Sequence, residues 1–189
     1  MRVIAGSAKG RRLRTAAGLA VRPTADRVKE ALFSMLGSRF TLDGAELLDL
    51  YAGSGALGIE GLSRGASAAT FVEHDGTARR ILGENLRQCG FETRATVLAS
   101  PVERALRSCA RERRRFDGVL LDPPYGRGLV DATLRQLADG DVVRPGGWVA
   151  VEHHADEGPD TAYGDLQLTA AKRYGKTALA LFSKPQGAE

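Results

Sequence analysis

Between Ala45 and Glu152, short apolar runs alternate with stretches whose apolar residues recur every three or four positions. The runs are Glu46 to Tyr51, Ala69 to Glu73, Ala95 to Leu98, Phe116 to Asp122 and Gly147 to Glu152. Several are apolar throughout, the pattern of strands covered on both faces of a parallel sheet. The intervening stretches read as helices. One follows a glycine turn and runs through Arg64 to a stop at Gly65. A second spans Thr77 to Gln88, with Ile81, Leu82 and Leu86 on one face and Gly90 closing it. Two more cover Val102 to Ala110 and Val130 to Leu137.

The flanks break this rhythm. Leu166 to Tyr174 and Thr177 to Ser183 predict two strands joined at Gly175-Lys176, hence an antiparallel hairpin. The acidic, Gly/Pro-bearing stretch Ala155 to Asp165 reads as a surface loop. Upstream, Arg2 to Arg14 fits a small basic hairpin. Thr24 then caps a helix that turns Val28, Leu32, Met35 and Leu36 inward. The expected architecture is α/β: a doubly wound, mostly parallel seven-stranded sheet with an antiparallel C-terminal hairpin. Residues 44–189 form that unit, and residues 1–43 are a short basic extension.

Composition adds limits. The chain has 189 residues, enough for one domain with its own core. Its apolar runs fall far short of the roughly 20 residues that cross a bilayer, and its start lacks an apolar signal core, so a cytoplasmic location is expected. Cys89 and Cys109 lack metal-site spacing and read as small core residues in a reducing compartment. The net charge of +4 matters mainly through its distribution, since Arg2, Lys9, Arg11, Arg12, Arg14 and Arg22 all precede the first acid, Asp26. Such a stretch repels itself unless something anionic lies on it. A second cluster, Arg111 and Arg113 to Arg115, reads as a solvated helix end complementing the dipole.

Gly53-Ser54-Gly55-Ala56-Leu57-Gly58 matches G-x-G-x-x-G after a strand and at the start of a helix, and Glu73 ends the next strand. That context fits a dinucleotide-binding fingerprint, so an NAD-dependent oxidoreductase stays open at this point. Asp49, just before the loop, tilts the choice. Beside a pyrophosphate it is repulsive, whereas S-adenosylmethionine offers an ammonium for it and a carboxylate for the helix N-terminus.

Asp122-Pro123-Pro124-Tyr125 ends the fourth strand. Two prolines fix the backbone as rigid and extended, and open α/β sheets bind ligands beyond their carboxyl strand ends. An exocyclic base amine is a poor nucleophile because its lone pair is delocalised into the ring. The Asp122 carboxylate and a main-chain carbonyl, that of Pro123, can accept its two hydrogens and aim the lone pair. Developing positive charge on nitrogen is then stabilised electrostatically. Holding donor and acceptor in near-attack geometry is worth about 7–11 kcal/mol. Tyr125 offers an aromatic face for a base, at about 1–3 kcal/mol. No metal is required.

With both motifs placed, the chain resembles the class I S-adenosylmethionine-dependent methyltransferases with an amino-directed Asp-Pro-Pro-Tyr motif. More narrowly it resembles the bacterial 16S rRNA guanine-N2 methyltransferases that modify guanine 966. The blocks are Arg2-Val3-Ile4-Ala5-Gly6 with Lys9-Gly10-Arg11-Arg12-Leu13, Arg22-Pro23-Thr24-Ala25-Asp26-Arg27-Val28-Lys29-Glu30-Ala31-Leu32-Phe33, Asp49 through Ala66, and Leu121 through Tyr125. Asp-Pro-Pro-Tyr alone is shared with enzymes acting on adenine N6 or cytosine N4, which remain alternatives. The resemblance implies that Asp49, Ala52, Gly53, Ser54 and Gly55 hold the methionine end of the cofactor and Glu73 its ribose. It implies that Asp122, Pro123, Pro124 and Tyr125 present the guanine. It also implies that Lys9, Arg11, Arg12, Arg22 and Arg27 grip 16S rRNA, within an assembling small subunit, as a monomer. Where relatives often carry Asp or Asn for the adenine, this chain has Leu98-Ala99-Ser100-Pro101, and Ser100 is the substitute expected. His74, His153 and His154 read as loop or surface residues, Trp148 and Phe71 as core. Glu152 edges the pocket without an assigned role.

Overall fold

The computed structural model describes residues 1–15 and 23–187. In chain order the elements are α1 (Pro23–Gly37), β1 (Glu46–Leu50), α2 (Ala56–Ser63), β2 (Ala68–Val72), α3 (Gly76–Cys89), β3 (Ala95–Leu98) and α4 (Val102–Arg111). They continue as β4 (Phe116–Leu121), α5 (Leu129–Asp139), β5 (Val143–His154), β6 (Ala162–Tyr163), β7 (Leu166–Tyr174) and β8 (Thr177–Ser183). Each expected strand and helix of the alternating region is present, displaced at its ends by a few residues at most. Three details differ. The helix α1 opens on Pro23, so Thr24 lies inside it and is not its cap; the fixed φ of proline suits that first position. The two-residue β6 falls within the stretch read as a loop, which makes the sheet eight-stranded. Finally, β5 starts at Val143 because its register against β4 slips between Phe116 and Gly118, which keeps Arg144 to Gly147 in the strand as an irregularity.

The strand order is β3-β2-β1-β4-β5-β8-β7-β6. Pairs among β1 to β5 are parallel, and those joining β5, β8, β7 and β6 are antiparallel. The order reverses between β1 and β4, and there Leu50 lies opposite Leu121. The segments after these strands therefore leave the sheet side by side, at the switch point where α/β sheets open a crevice.

Two apolar clusters cover the sheet. Leu32, Phe33 and Leu36 of α1, Ile59 and Leu62 of α2 and Leu82 of α3 fill one face; Leu106 of α4 and Leu134 of α5 fill the other. Neighbouring β1 residues serve both: Leu47 faces the first cluster, and Leu48 and Leu50 the second. That is why β1 is apolar throughout, each leucine contributing about 1.5–3 kcal/mol. Trp148 and Phe71 are core as expected; a Cβ on Gly118 would come within 2.1 Å of the Trp148 ring.

The first residues form the expected hairpin, bridged between Arg2 and Arg12, on the α1–α3 face. Gly6 lies so close to α2 that a Cβ there would meet the Ser63 carbonyl at 1.7 Å. Its partner is Glu60, fully buried in α2, which accepts from Ile4 N at 2.8 Å and Ala5 N at 3.0 Å. Among the described residues no helix is long and apolar enough to cross a membrane.

Candidate active site

At the end of β1 the chain turns on three residues of positive φ: Tyr51 at 58°, Gly53 at 54° and Gly55 at 81°. Tyr51 is a bulky residue in the left-handed region, a strained conformation held in part by its hydroxyl bonding Thr133 at 3.1 Å. The third glycine of the fingerprint has another task. A Cβ on Gly58 would sit 2.4 Å from the Phe71 ring, so glycine lets α2 lie against β2. Its N–H donates to Asp49 Oδ2 at 2.8 Å. Ala52 is buried, and its N–H and carbonyl tie the loop to Val72 and Gly55.

Asp49 is only 2 % exposed; among the described residues Gly58 N–H bonds its Oδ2, and no hydrogen bond engages Oδ1. Burial pushes its pKa up to about 8, with the Gly58 N–H pulling down and Glu73 adding repulsion. Glu73 braces the loop: Oε2 accepts from Gly53 N and Oε1 from Asp75 N, both at 2.8 Å. Each carboxylate oxygen has a second acceptor site, so Glu73 can still meet hydroxyl donors.

Asp122 follows β4 directly and stands beside this loop. The residue is exposed, while protein groups crowd its carboxylate. Desolvation first, then the Glu152 and Asp49 carboxylates, raise its pKa well above the usual range. Pro123 is buried, Pro124 exposed, and Tyr125 stands 44 % exposed at the rim. The Tyr125 hydroxyl donates to Glu152 Oε1 at 3.4 Å, and its ring meets His154 edge-on at 5.7 Å. Three carboxylates, Asp49, Asp122 and Glu152, thus act on one cleft, an arrangement that disfavours anions and suits a cationic guest.

Other expected residues are more scattered. Ser100 is half-buried at the tip of β3, its hydroxyl donating to the Pro101 carbonyl at 3.1 Å. Lys9, Arg11, Arg12 and Arg27 are exposed around the hairpin and α1, Arg11 also donating to the Gln88 carbonyl at 2.9 Å. Arg22 lies outside the described residues. The expectation for the histidines needs correcting. His153 is buried in β5, with Nδ1 against the His154 carbonyl at 2.8 Å, because the strand runs past Glu152. His154 stands beside Tyr125, and only His74 is a surface residue.

The sequence reading missed three residues. Tyr51 gives no local sign of its backbone strain. Asn85, fully buried in α3, donates to the Ser54 carbonyl at 2.8 Å and the Arg14 carbonyl at 3.0 Å, and accepts from Arg14 N at 2.8 Å. It joins the glycine loop to the basic segment. Glu60 carried a signal, being the lone charge in the helix Ala56–Ser63.

The donor set fits S-adenosylmethionine: a carboxylate with a free oxygen for an ammonium, a helix N-terminus for a carboxylate, and an acid at the tip of β2 for ribose hydroxyls. Order of strands, glycine loop and Asp-Pro-Pro-Tyr exit together define a Rossmann-like methyltransferase fold. Solved structures agree: the chain superposes on one titled "Putative methyltransferase yhhF" from Escherichia coli with a TM-score of 0.82 at 32% identity, covering 98% of each chain. The chain belongs to the family described as Conserved hypothetical protein 95, whose model matches residues 1–183. It is 42% identical to the Bacillus subtilis protein named "Putative rRNA methyltransferase YlbH", over 97% of this chain and 99% of that one. It is 33% identical to Ribosomal RNA small subunit methyltransferase D of Escherichia coli, over 97% of this chain and 90% of that one. The family reached from the motif blocks is therefore borne out.

Proposed function

We propose that the protein transfers the methyl group of S-adenosylmethionine to the exocyclic N2 of a guanine in 16S rRNA, guanine 966 being the nucleotide implied by its motif blocks. The observation that carries the reading is the cleft at the β1/β4 switch point, where Asp49 and Asp122 stand close enough to perturb ionisation. A sulfonium and an ammonium suit that cleft; the pyrophosphate of a nicotinamide dinucleotide does not. The relatives' names supply the nucleic-acid class, ribosomal RNA.

When bound, the cofactor supplies an electrophilic methyl group. Asp122 and the Pro123 carbonyl accept the two amine hydrogens and orient the nitrogen lone pair, while Pro124 holds the turn rigid. Tyr125 stacks on the base. The methyl group would pass from sulfur to the amine nitrogen held by Asp122 and Pro123, leaving S-adenosylhomocysteine, and the amine proton would go to water. Residues 44–189 act as the catalytic unit. Residues 1–43 act as the extension that grips RNA through Lys9, Arg11, Arg12, Arg22 and Arg27, on an assembling small subunit and as a monomer.

Nucleoside mass spectrometry of rRNA and of small subunits treated with protein and cofactor tests this. N2-methylguanosine is expected; methylated adenine, or no methylated nucleoside, overturns it. Calorimetry with NADH and S-adenosylhomocysteine adds a check, since tight NADH binding alone would sink the role of Asp49.

A pH dependence follows from Asp49. With its pKa near 8 in the free protein, it must lose its proton to receive an ammonium. S-adenosylhomocysteine affinity is therefore expected to rise with pH between about 6 and 8, by up to about tenfold per unit, with proton uptake by buffer visible in calorimetry. Asp49→Asn should flatten the profile. The same shift acts on stability. Between the ordinary value of 3.8 and about 8 the folded state holds the extra proton, so Asp49 makes stability fall as pH rises.

A further inference from the structure

Along the edge of the sheet remote from the C-terminal hairpin runs a groove of about 790 Å³ between β3 and α4. Its upper end is Ala99 and Ser100, at the carboxyl tip of β3 and so on the cleft side of the sheet; its lower end is Arg111, Glu112 and Arg114, where α4 stops. Resting on the RNA reading above, we propose that this groove is a second RNA-docking surface, which holds the sugar–phosphate backbone of a substrate strand leaving the active site.

Three observations carry it. Arg104, Arg107 and Arg111 recur at spacings of three and four, which puts their guanidinium groups on one face of α4, above the groove. Arg104 and Arg107 are exposed and pair with no carboxylate among the described residues, and Glu112 is the one acid lining the groove. Second, β3 is an edge strand whose outer side has no partner among the described residues, and Val97 is 39 % exposed on it. Bare edges invite pairing with other chains. A row of arginines repels basic partners there and attracts a polyanion.

Third, the positive track continues past the groove. A neighbouring cavity of about 330 Å³ shares Arg114 and adds Arg113; its other cations are paired, Arg115 with Asp141 and Arg144 with Glu46 and Asp117, so Arg113 and Arg114 carry the track. Arg114 is held in place, donating to Thr70 Oγ1 at 3.1 Å and lying over the Phe116 ring at 5.3 Å. The cluster read from sequence as a solvated helix end is thus the foot of a longer stripe. The basic hairpin lies on the opposite, α1–α3 face. RNA contacting both would wrap the β3 edge, with the target base between them at the cleft.

The test is the double variant Arg104→Gln/Arg107→Gln, binding a 16S rRNA fragment at several salt concentrations. Losing two phosphate contacts should make the slope of log affinity against log salt shallower by about 1.4–1.8, and weaken binding about 25- to 60-fold at 0.1 M salt. S-adenosylhomocysteine affinity and thermal midpoint should match the wild type, which separates a lost contact from a lost fold. An unchanged slope in a variant whose parent methylates rRNA removes the groove and leaves the enzymatic reading standing. A parent that neither binds nor methylates rRNA removes both.

Discussion

Asp122→Ala is expected to lose methyl transfer by about 10²–10³-fold in kcat, the loss typical when one preorganised electrostatic group is removed from an active site. Binding of S-adenosylhomocysteine should be kept, because Asp122 lies on the strand beside the one that carries the cofactor loop. Asp122→Asn should fare little better: the amide keeps one acceptor but loses the charge that stabilises a positive amine nitrogen. A pH profile separates this role from a merely structural one. Desolvation and the Glu152 and Asp49 carboxylates hold the Asp122 proton on well above the usual range. The acid is therefore neutral at low pH and charged at higher pH, and kcat should rise with pH as it ionises. Among the charges acting on Asp122, Glu152 is the larger. Glu152→Gln removes one like charge and should move the midpoint of kcat to lower pH. Kinetics across pH for the wild type, Asp122→Ala and Glu152→Gln settle the matter. Full activity in Asp122→Ala, or an unmoved midpoint in Glu152→Gln, would remove the amine-orienting role from this cleft.

The cleft was legible in the sequence because its parts are backbone devices. Glycines that must turn with positive φ, prolines that must extend, and acids at strand ends each declare a local geometry. Strand adjacency at the switch point then follows from the alternation of strands and helices. What was not legible depends on residues far apart in the chain. Asn85 reads as one more polar residue on an amphipathic helix until Ser54 and Arg14 are seen around it, 31 and 71 residues away. His153 was taken for a surface residue because the apolar run stops at Val151, although antiparallel pairing with β8 carries the strand to His154. Arg111 and Arg113 to Arg115 read as a solvated helix end, and only the bare edge of β3 beside α4 gives the helix's arginines a groove. Tertiary pairing decides such positions, and no period in the sequence records it.

Glu60→Ala is expected to destabilise the protein by about 3–5 kcal/mol, the range for breaking a buried ion pair by removing one partner. Glu60 is fully buried and Lys29 is 2 % exposed; their charged atoms lie 3.2 Å apart. The same carboxylate bonds Arg64 Nε at 2.8 Å and accepts the Ile4 and Ala5 N–H groups, so its loss also orphans two main-chain donors. Among the described residues Lys29 then keeps the Arg2 carbonyl, at 2.6 Å, as its hydrogen-bond partner. For a chain of this length the thermal midpoint should fall by about 6–20 °C. Burial already lowers the Lys29 pKa from 10.5, with Glu60 the chief opposing influence. Without Glu60 the folded value drops further while the unfolded value stays. Between the two the unfolded chain then holds more protons, and the variant should regain stability as pH rises through that window. Lys29→Met/Glu60→Leu, which removes both charges, should be closer to the wild type than Glu60→Ala. RNA binding should suffer more than cofactor binding in Glu60→Ala, because the carboxylate fastens the basic hairpin to α2 and touches nothing in the cofactor loop. Thermal melts across pH, with rRNA and S-adenosylhomocysteine titrations on the same variants, check each step. A double variant no more stable than Glu60→Ala would mean that the unpaired Lys29 charge is not what destabilises the protein.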